Sequence, residues 1–199
     1  GSREKIASFK GINSSPAWSP DGKKMAMTLS NDGNPDIYIM TLDNKKLRRM
    51  TSHWAIDTEA AWMPDSQSIV FTSSRSGKPQ IYSLSLNSGA RPKRLTFDGK
   101  YNANASVSAD GKVITFVHGG NNSYRIATMD LENRSMQILT QGPLDESPDF
   151  APNGTMIMFA SVDKGKAVLA AVSTDGRHKH RLALSDGEVR EPSWAAKRY

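Results

Sequence analysis

The residues with the clearest chemical capacity are four histidines, His53, His118, His178 and His180. His178 and His180 stand two apart, so on a strand they share a face and could pinch a metal ion, although such a pair more often forms a solvated edge. The run Asn31-Asp32-Gly33-Asn34-Pro35-Asp36 offers oxygen ligands in the manner of a calcium loop. It lacks the bidentate Glu that closes an EF-hand, and it reads better as a hairpin loop. No Gly-x-Ser-x-Gly turn, His-Glu-x-x-His pair, phosphate-binding loop or Gly-x-Gly-x-x-Gly run occurs in the 199 residues. With no cysteine, disulfides, thiolate metal sites and a Cys nucleophile are excluded. These residues favour recognition over catalysis and name no cofactor.

The elements that must position any such site follow from an internal repeat. The phrase Ser15-Pro16-Ala17-Trp18-Ser19-Pro20-Asp21-Gly22 recurs as Glu59-Ala60-Ala61-Trp62-Met63-Pro64-Asp65-Ser66, as Asn104–Gly111 and as Ser147–Gly154, with a fifth, shorter copy at Glu191–Ala195. Its large residues Trp18, Trp62, Val107, Phe150 and Trp194 are spaced 44, 45, 43 and 44 residues apart. Each unit carries four short apolar runs; in the first they are Ala17–Ser19, Met25–Leu29, Ile37–Thr41 and Leu47–Thr51. Turn dipeptides such as Asp21-Gly22, Asp110-Gly111 and Asn153-Gly154 bound them and supply the positive φ that tight hairpins need. No long window shows a helical apolar period. Four short antiparallel strands every ~40–45 residues is the period of a β-propeller blade.

The fold class is therefore all-β, a propeller with four complete four-stranded blades at about 16–51, 60–97, 104–140 and 147–183. By the phase of the repeat, 4–9 is expected to be an outer strand and 192–196 a lone inner strand. Trp18, Trp62 and Trp194 fill the slot where an inner strand wedges against the adjacent blade. Gly1-Ser2 reads as a cloning scar, which makes the rest an excised piece of a larger ring.

The segments that differ between units run from each outer strand to the next inner one, so all emerge on one face around the axis. They are Lys10–Ser15, Ser52–Glu59, Phe97–Asn104, Gln141–Ser147 and Leu184–Glu191. Unlike loops on a repeated scaffold are how recognition sites are built. The candidate binding residues are Ile12, Asn13, Ser15, His53, Trp54, Asp57, Thr58, Glu59, Tyr101, Asn102, Asn104, Asp145, Glu146, Ser147, Arg190 and Glu191. The charged residues and aromatics among them are expected to be exposed, and Trp54, outside the packing slot, is the aromatic best suited to anchor a partner. A net charge of +6 without a basic run argues against nucleic acid. No stretch reaches the ~18 apolar residues of a membrane-spanning helix.

The repeat Pro-x-Trp-Ser-Pro-Asp-Gly, a third-strand Tyr and then Arg-Leu-Thr resembles the PD40 type of propeller repeat. The phrases Ala61–Gln67, Leu144–Pro148 with Ala151–Met156, and Val172-Ser173-Thr174-Asp175-Gly176-Arg177 are similar to the TolB family, periplasmic propellers of the Tol–Pal cell-envelope system of Gram-negative bacteria. The resemblance implies an N-terminal α/β domain followed by a six-bladed, non-enzymatic propeller. It also implies a location in the periplasm and roles in outer-membrane integrity and cell division. Its partners would be the peptidoglycan-associated lipoprotein, colicin translocation segments that mimic that contact, and TolA through the N-terminal region this chain lacks. Association with the outer membrane would come only through partners. By position, lipoprotein contacts carry over to Ile12, Asn13, Ser15, Thr58 and Glu59, with Ile12 standing where the family carries His. Calcium in the central channel is associated with the family, though no residue here marks a ligand set. A different class remains open on the repeats alone: the substrate-gating propeller of a prolyl-oligopeptidase or tricorn-type serine peptidase.

Overall fold

A computed structural model describes residues 5–120, 123–182 and 189–194. Among these residues sixteen strands form four antiparallel four-stranded sheets, each built from consecutive strands. Blade 1 is β1 (Asn13–Trp18), β2 (Lys24–Leu29), β3 (Asp36–Thr41) and β4 (Leu47–Arg49). Blade 2 is β5 (Asp57–Trp62), β6 (Ser68–Ser73), β7 (Gln80–Ser85) and β8 (Lys93–Arg94). Blade 3 is β9 (Tyr101–Val107), β10 (Val113–Gly120), β11 (Ser123–Asp130) and β12 (Met136–Ile138). Blade 4 is β13 (Asp145–Phe150), β14 (Met156–Asp163), β15 (Lys166–Ser173) and β16 (Lys179–Leu182). Among the described residues there is no helix.

The second strands are almost continuously apolar because they are covered on both faces, by neighbouring blades for β6 and β10, and by blade 2 on one side and the segment Ile6–Phe9 on the other for β2. The core is accordingly a series of layers between blades. Ala26, Ile37 and Ile39 of blade 1 pack on Trp62, Ile69, Phe71 and Tyr82 of blade 2. Val70 and Ile81 then meet Ile114, Phe116 and Met129 of blade 3. Val117 and Ile126 meet Phe150, Ile157 and Phe159 of blade 4. Trp62 fills the inter-blade slot, 7% exposed, and its indole N–H donates to the Ala17 carbonyl of blade 1 at 2.9 Å. Trp18 holds the same slot with no blade before it among the described residues, and is 57% exposed.

The turn chemistry is local. Ser19, Ser108 and Ser173 each donate a hydroxyl to the aspartate two residues on. That bond holds Asp21, Asp110 and Asp175 below the usual carboxylate range. In blades 1 to 3 a Thr lies two residues past the outer strand, and its hydroxyl accepts from a backbone N–H near the start of the third strand: Ile37 to Thr51, Ile81 to Thr96 and Ile126 to Thr140.

Three expectations need correction. The blades begin about three residues earlier and end about two earlier than the repeat suggested, because each inner strand continues through a bulge before its Trp slot. Register shifts fall between Ser14 and Ala17, Thr58 and Ala61, and Glu146 and Asp149, with an equivalent shift in blade 3. The residue at the bulge has positive φ in all four blades, Ser15 (50°), Glu59 (55°), Asn104 (52°) and Ser147 (53°), and Glu191 (46°), outside any strand, shares that conformation at the equivalent position. Lys5–Phe9 is not a strand. Among the described residues no third strand stands beside it, and Ile6, Ala7 and Phe9 pack instead on Met25, Met27, Leu29, Tyr38 and Met40 of blade 1. Pro192–Trp194 likewise makes no ladder; it hangs on blade 4 through Asp149 Oδ2, which accepts from Ser193 Oγ at 3.1 Å and Trp194 N at 2.9 Å. Gly1-Ser2, residues 184–188 and residues 195–196 lie outside the described residues.

Candidate functional site

In a four-stranded antiparallel blade the chain enters β1 and leaves β4 at the same end. The hairpin between the second and third strands lies at that end too. The loop face is thus built from the inter-blade loops together with the hairpins at 30–35, 74–79 and 163–166; sequence reasoning read 31–36 as a hairpin loop but placed none of the three on this face. Following strand parity would have found them. The two sets interlock. Ile12 N donates to Ser30 Oγ (2.8 Å) and Ile56 N to Ser74 Oγ (3.2 Å). The Asn34 amide donates to the carbonyls of His53 (2.9 Å) and Ala55 (2.8 Å), which fixes the loop that carries Trp54.

On that scaffold large apolar side chains face solvent. Trp54 is 79% exposed, tilted against the His53 ring at 5.2 Å, and Phe97 is 69% exposed under the Arg94 guanidinium at 4.8 Å. Ile12 and Ile56 are exposed on the inter-blade loops as well, and Tyr124 meets Tyr101 edge-on at 5.1 Å. Ile56, Phe97 and Tyr124 were not singled out from sequence, although Ile56 and Phe97, as large apolar residues in inter-blade loops, carried the same signal as Trp54; Tyr124 lies in β11 and carried none.

The four bulge residues Ser15, Glu59, Asn104 and Ser147, together with Glu191 at the equivalent position, line a cavity of about 550 Å³ with Ser106 and Asp149. Glu59 Oε2 accepts from Thr72 Oγ1 (2.8 Å) and Asn104 N (3.0 Å), and Thr58 Oγ1 accepts from Thr28 Oγ1 (3.2 Å), so both tie adjacent blades together at the mouth. Asn13 ties its own loop: it accepts from Phe9 N and donates to the Phe9 and Gly11 carbonyls. Glu146, Ser147, Arg190 and Glu191 gather around a second cavity of about 360 Å³ at blade 4.

Asp57, Asn102 and Asp145 are corrected: they are buried, not exposed. They occupy one position in three successive joints between blades, opposite Asp36, Gln80 and Arg125 and near Thr51, Thr96 and Thr140. In the first joint Asp36 accepts from Arg49 (2.5 Å) and Thr51 (3.1 Å), and Asp57 from Arg75 (2.7 Å). Burial pushes the Asp36 carboxyl up despite Arg49 and Thr51. In the second joint the network is uncharged: Gln80 Oε1 accepts from Thr96 Oγ1 (2.8 Å) and Asn102 Nδ2 (2.9 Å). In the third, Asp145 accepts from Ser161 Oγ at 2.6 Å.

The donor set does not suit calcium. In the channel, Glu59 Oε2 and both Asp149 oxygens already accept protein hydrogen bonds. In the hairpin at 30–35, Asp32 accepts from Tyr38 Oη (2.7 Å) and Arg49 (3.3 Å). Burial and that bond push the Tyr38 phenol up to about 12. No group of three or more His, Asp or Glu converges among the described residues.

Stacked antiparallel sheets, buried inter-blade wedges and unlike loops gathered on one face define four blades of a β-propeller. Residues 1–198 match the PD40 family, described as the TolB beta propeller domain, and the chain belongs to that family. The solved structure of TolB from Acinetobacter baumannii superposes with a TM-score of 0.92 at 47% identity, over 98% of this chain and 49% of that one. The Tol-Pal system protein TolB of Xanthomonas oryzae pv. oryzae is 53% identical over 109 residues, 54% of this chain and 25% of the relative. The chain therefore spans about half of the solved relative, and the aligned stretch a quarter of the curated one. A Mycobacterium tuberculosis puromycin-hydrolysing peptidase also superposes, with a TM-score of 0.72 at 18% identity over 89% of this chain and 29% of that one, a likeness of fold alone.

Proposed function

We propose that this chain is the docking sector of a periplasmic Tol–Pal propeller. Its loop face binds the peptidoglycan-associated lipoprotein in support of outer-membrane integrity and cell division, colicin segments compete for that face, and the sector performs no catalysis. The observation that carries this reading is the gathering of solvent-facing Ile12, Trp54, Ile56 and Phe97 on the inter-blade loops. Large apolar side chains held in water by an ordered scaffold are the anchors from which protein interfaces draw most of their energy. Family membership supplies the Tol–Pal context.

Titration calorimetry with the soluble domain of the lipoprotein tests the reading. Trp54→Ala is expected to weaken binding by about 2 kcal/mol without lowering the unfolding temperature, since its ring contacts little beyond His53. Lys46→Ala, exposed at the opposite end of blade 1, is the matched control. Arg48 is a poorer one, because its guanidinium reaches the Leu86 carbonyl of blade 2. Equal losses at Trp54 and Lys46 would remove the loop face from the account.

A further inference from the structure

Asp57, Asn102 and Asp145 hold one buried position at three successive joints, and what meets them differs each time. At the first joint it is the Arg75 guanidinium. It donates to Asp57 Oδ2 at 2.7 Å and to Ser73 Oγ at 2.8 Å, and lies over the rings of Phe71 and Tyr82. At the second, the His118 ring closes on Asn102 at 2.8 Å. Among the described residues no side chain takes that place at the third. Asp163 stands where blade 2 has Arg75, and Ala170 where it has Tyr82. A cavity of about 550 Å³ opens there. Its inner wall holds Asp145, 2% exposed, with Ser161 and Phe159, the counterparts of Asp57, Ser73 and Phe71.

We propose that this cavity is a binding site for an arginine ligand with an unblocked α-carboxylate, whose guanidinium takes the place that Arg75 fills in blade 2. The proposal is independent of the docking reading.

The deep end of the cavity asks for a donor. Asp145 accepts from Ser161 Oγ at 2.6 Å, and Arg125, opposite it in blade 3, forms no ion pair among the described residues. A buried carboxylate gains most from a planar cation that presents two parallel N–H groups, which a guanidinium supplies and an ammonium does not. Phe159 offers that plane the same ring that Phe71 offers Arg75. The rim carries the other sign. Lys164, Lys179 and Arg181 are exposed at its edge, and Asp163 is taken up by Arg181 at 2.6 Å. Lys179 and Arg181 share the face of β16 that lies over Val172 and Ala170. A cation deep and a carboxylate at the mouth is the order of charges along an arginine whose carboxyl end is unblocked. A ligand without that carboxylate meets the rim lysines with nothing to offset them. The size suits a ligand of this class. Free arginine and a peptide that ends in arginine both carry this chemistry.

Titration calorimetry on the whole chain tests the site with free arginine and with a short acetylated peptide ending in arginine. At least one is expected to bind with a dissociation constant on the order of 1 mM or tighter. The tighter of the two identifies the source as an amino acid or a chain end. Argininamide and free lysine should each bind about tenfold more weakly, the first for want of the carboxylate and the second for want of the planar fork. Asp145→Asn keeps the shape and an acceptor for Ser161 but loses the charge, and should weaken binding about tenfold or more. Asp163→Arg rebuilds the arrangement of blade 2. Its own side chain should occupy the cavity and abolish binding without lowering the unfolding temperature, since the exposed pair with Arg181 contributes little. No heat from either arginine ligand up to about 10 mM overturns the proposal. So does an affinity that is the same in the wild type, Asp145→Asn and Asp163→Arg. Argininamide binding as tightly as arginine overturns the part assigned to the rim. None of these titrations contains the lipoprotein, so failure of the docking reading leaves each outcome standing.

Discussion

Replacement of Trp62 by alanine is expected to destabilise the chain by about 3–5 kcal/mol, whereas the same change at Trp18 should cost less than about 1 kcal/mol. The two residues hold identical places in consecutive repeats. Trp62 is wedged among Ala26, Ile37 and Ile39 of blade 1 and bonded to the Ala17 carbonyl. Its removal opens a cavity in the layer between two sheets that are themselves too rigid to collapse into it, and strands a carbonyl acceptor. Trp18 already meets water over more than half its surface, so truncation removes little packing. Urea unfolding followed by far-ultraviolet circular dichroism reads both variants without relying on indole fluorescence. Similar costs at the two positions would mean that the wedge is not what holds the blades together.

The second large effect is expected at Asp57. Asp57→Ala leaves the Arg75 guanidinium, itself 16% exposed, stacked over Phe71 and Tyr82 at 5.5 and 5.1 Å with no counter-charge. An uncompensated charge in that setting costs about 3–5 kcal/mol, far more than the intact pair contributes. The double change Asp57→Ala with Arg75→Met should recover most of the loss, because it removes the stranded charge along with its partner. A double variant no more stable than Asp57→Ala alone would show that the carboxylate acts through something other than Arg75.

Much of this architecture could be read from the chain, and the exceptions have specific causes. The spacing of Trp18, Trp62, Phe150 and Trp194 gave the period because one bulky residue per unit must meet the next blade. The four apolar runs gave the strand count. The strand boundaries shifted because Ser15, Glu59, Asn104 and Ser147 adopt positive φ without being glycine, and nothing in a serine or glutamate announces a bulge. Asp57, Asn102 and Asp145 looked like solvated loop residues because they are polar and follow a turn. Their burial depends on partners about 16–22 residues away, such as Ser161 and Gln80, which local pattern does not reveal. Their own spacing of 45 and 43 residues was the available sign that they belong to the scaffold. The loop anchors were legible wherever a large apolar residue interrupted a polar loop, as at Trp54, and equally at Phe97.

The three joints also bear on how such a chain can be rearranged. Facing positions hold two acids with their arginines at the first joint, two amides at the second, and Arg125 with Asp145 at the third. The repeats share a fold but are not interchangeable parts. A gene recombined so that the fourth unit follows the first would set Asp145 against Asp36 without Arg75 to separate them. One in which the third unit follows itself would confront Arg125 with Asn102, leaving the guanidinium without an acid. Each seam thus works as an address that admits only its proper neighbour, so that a sequence repeating every ~44 residues can still assemble in one order.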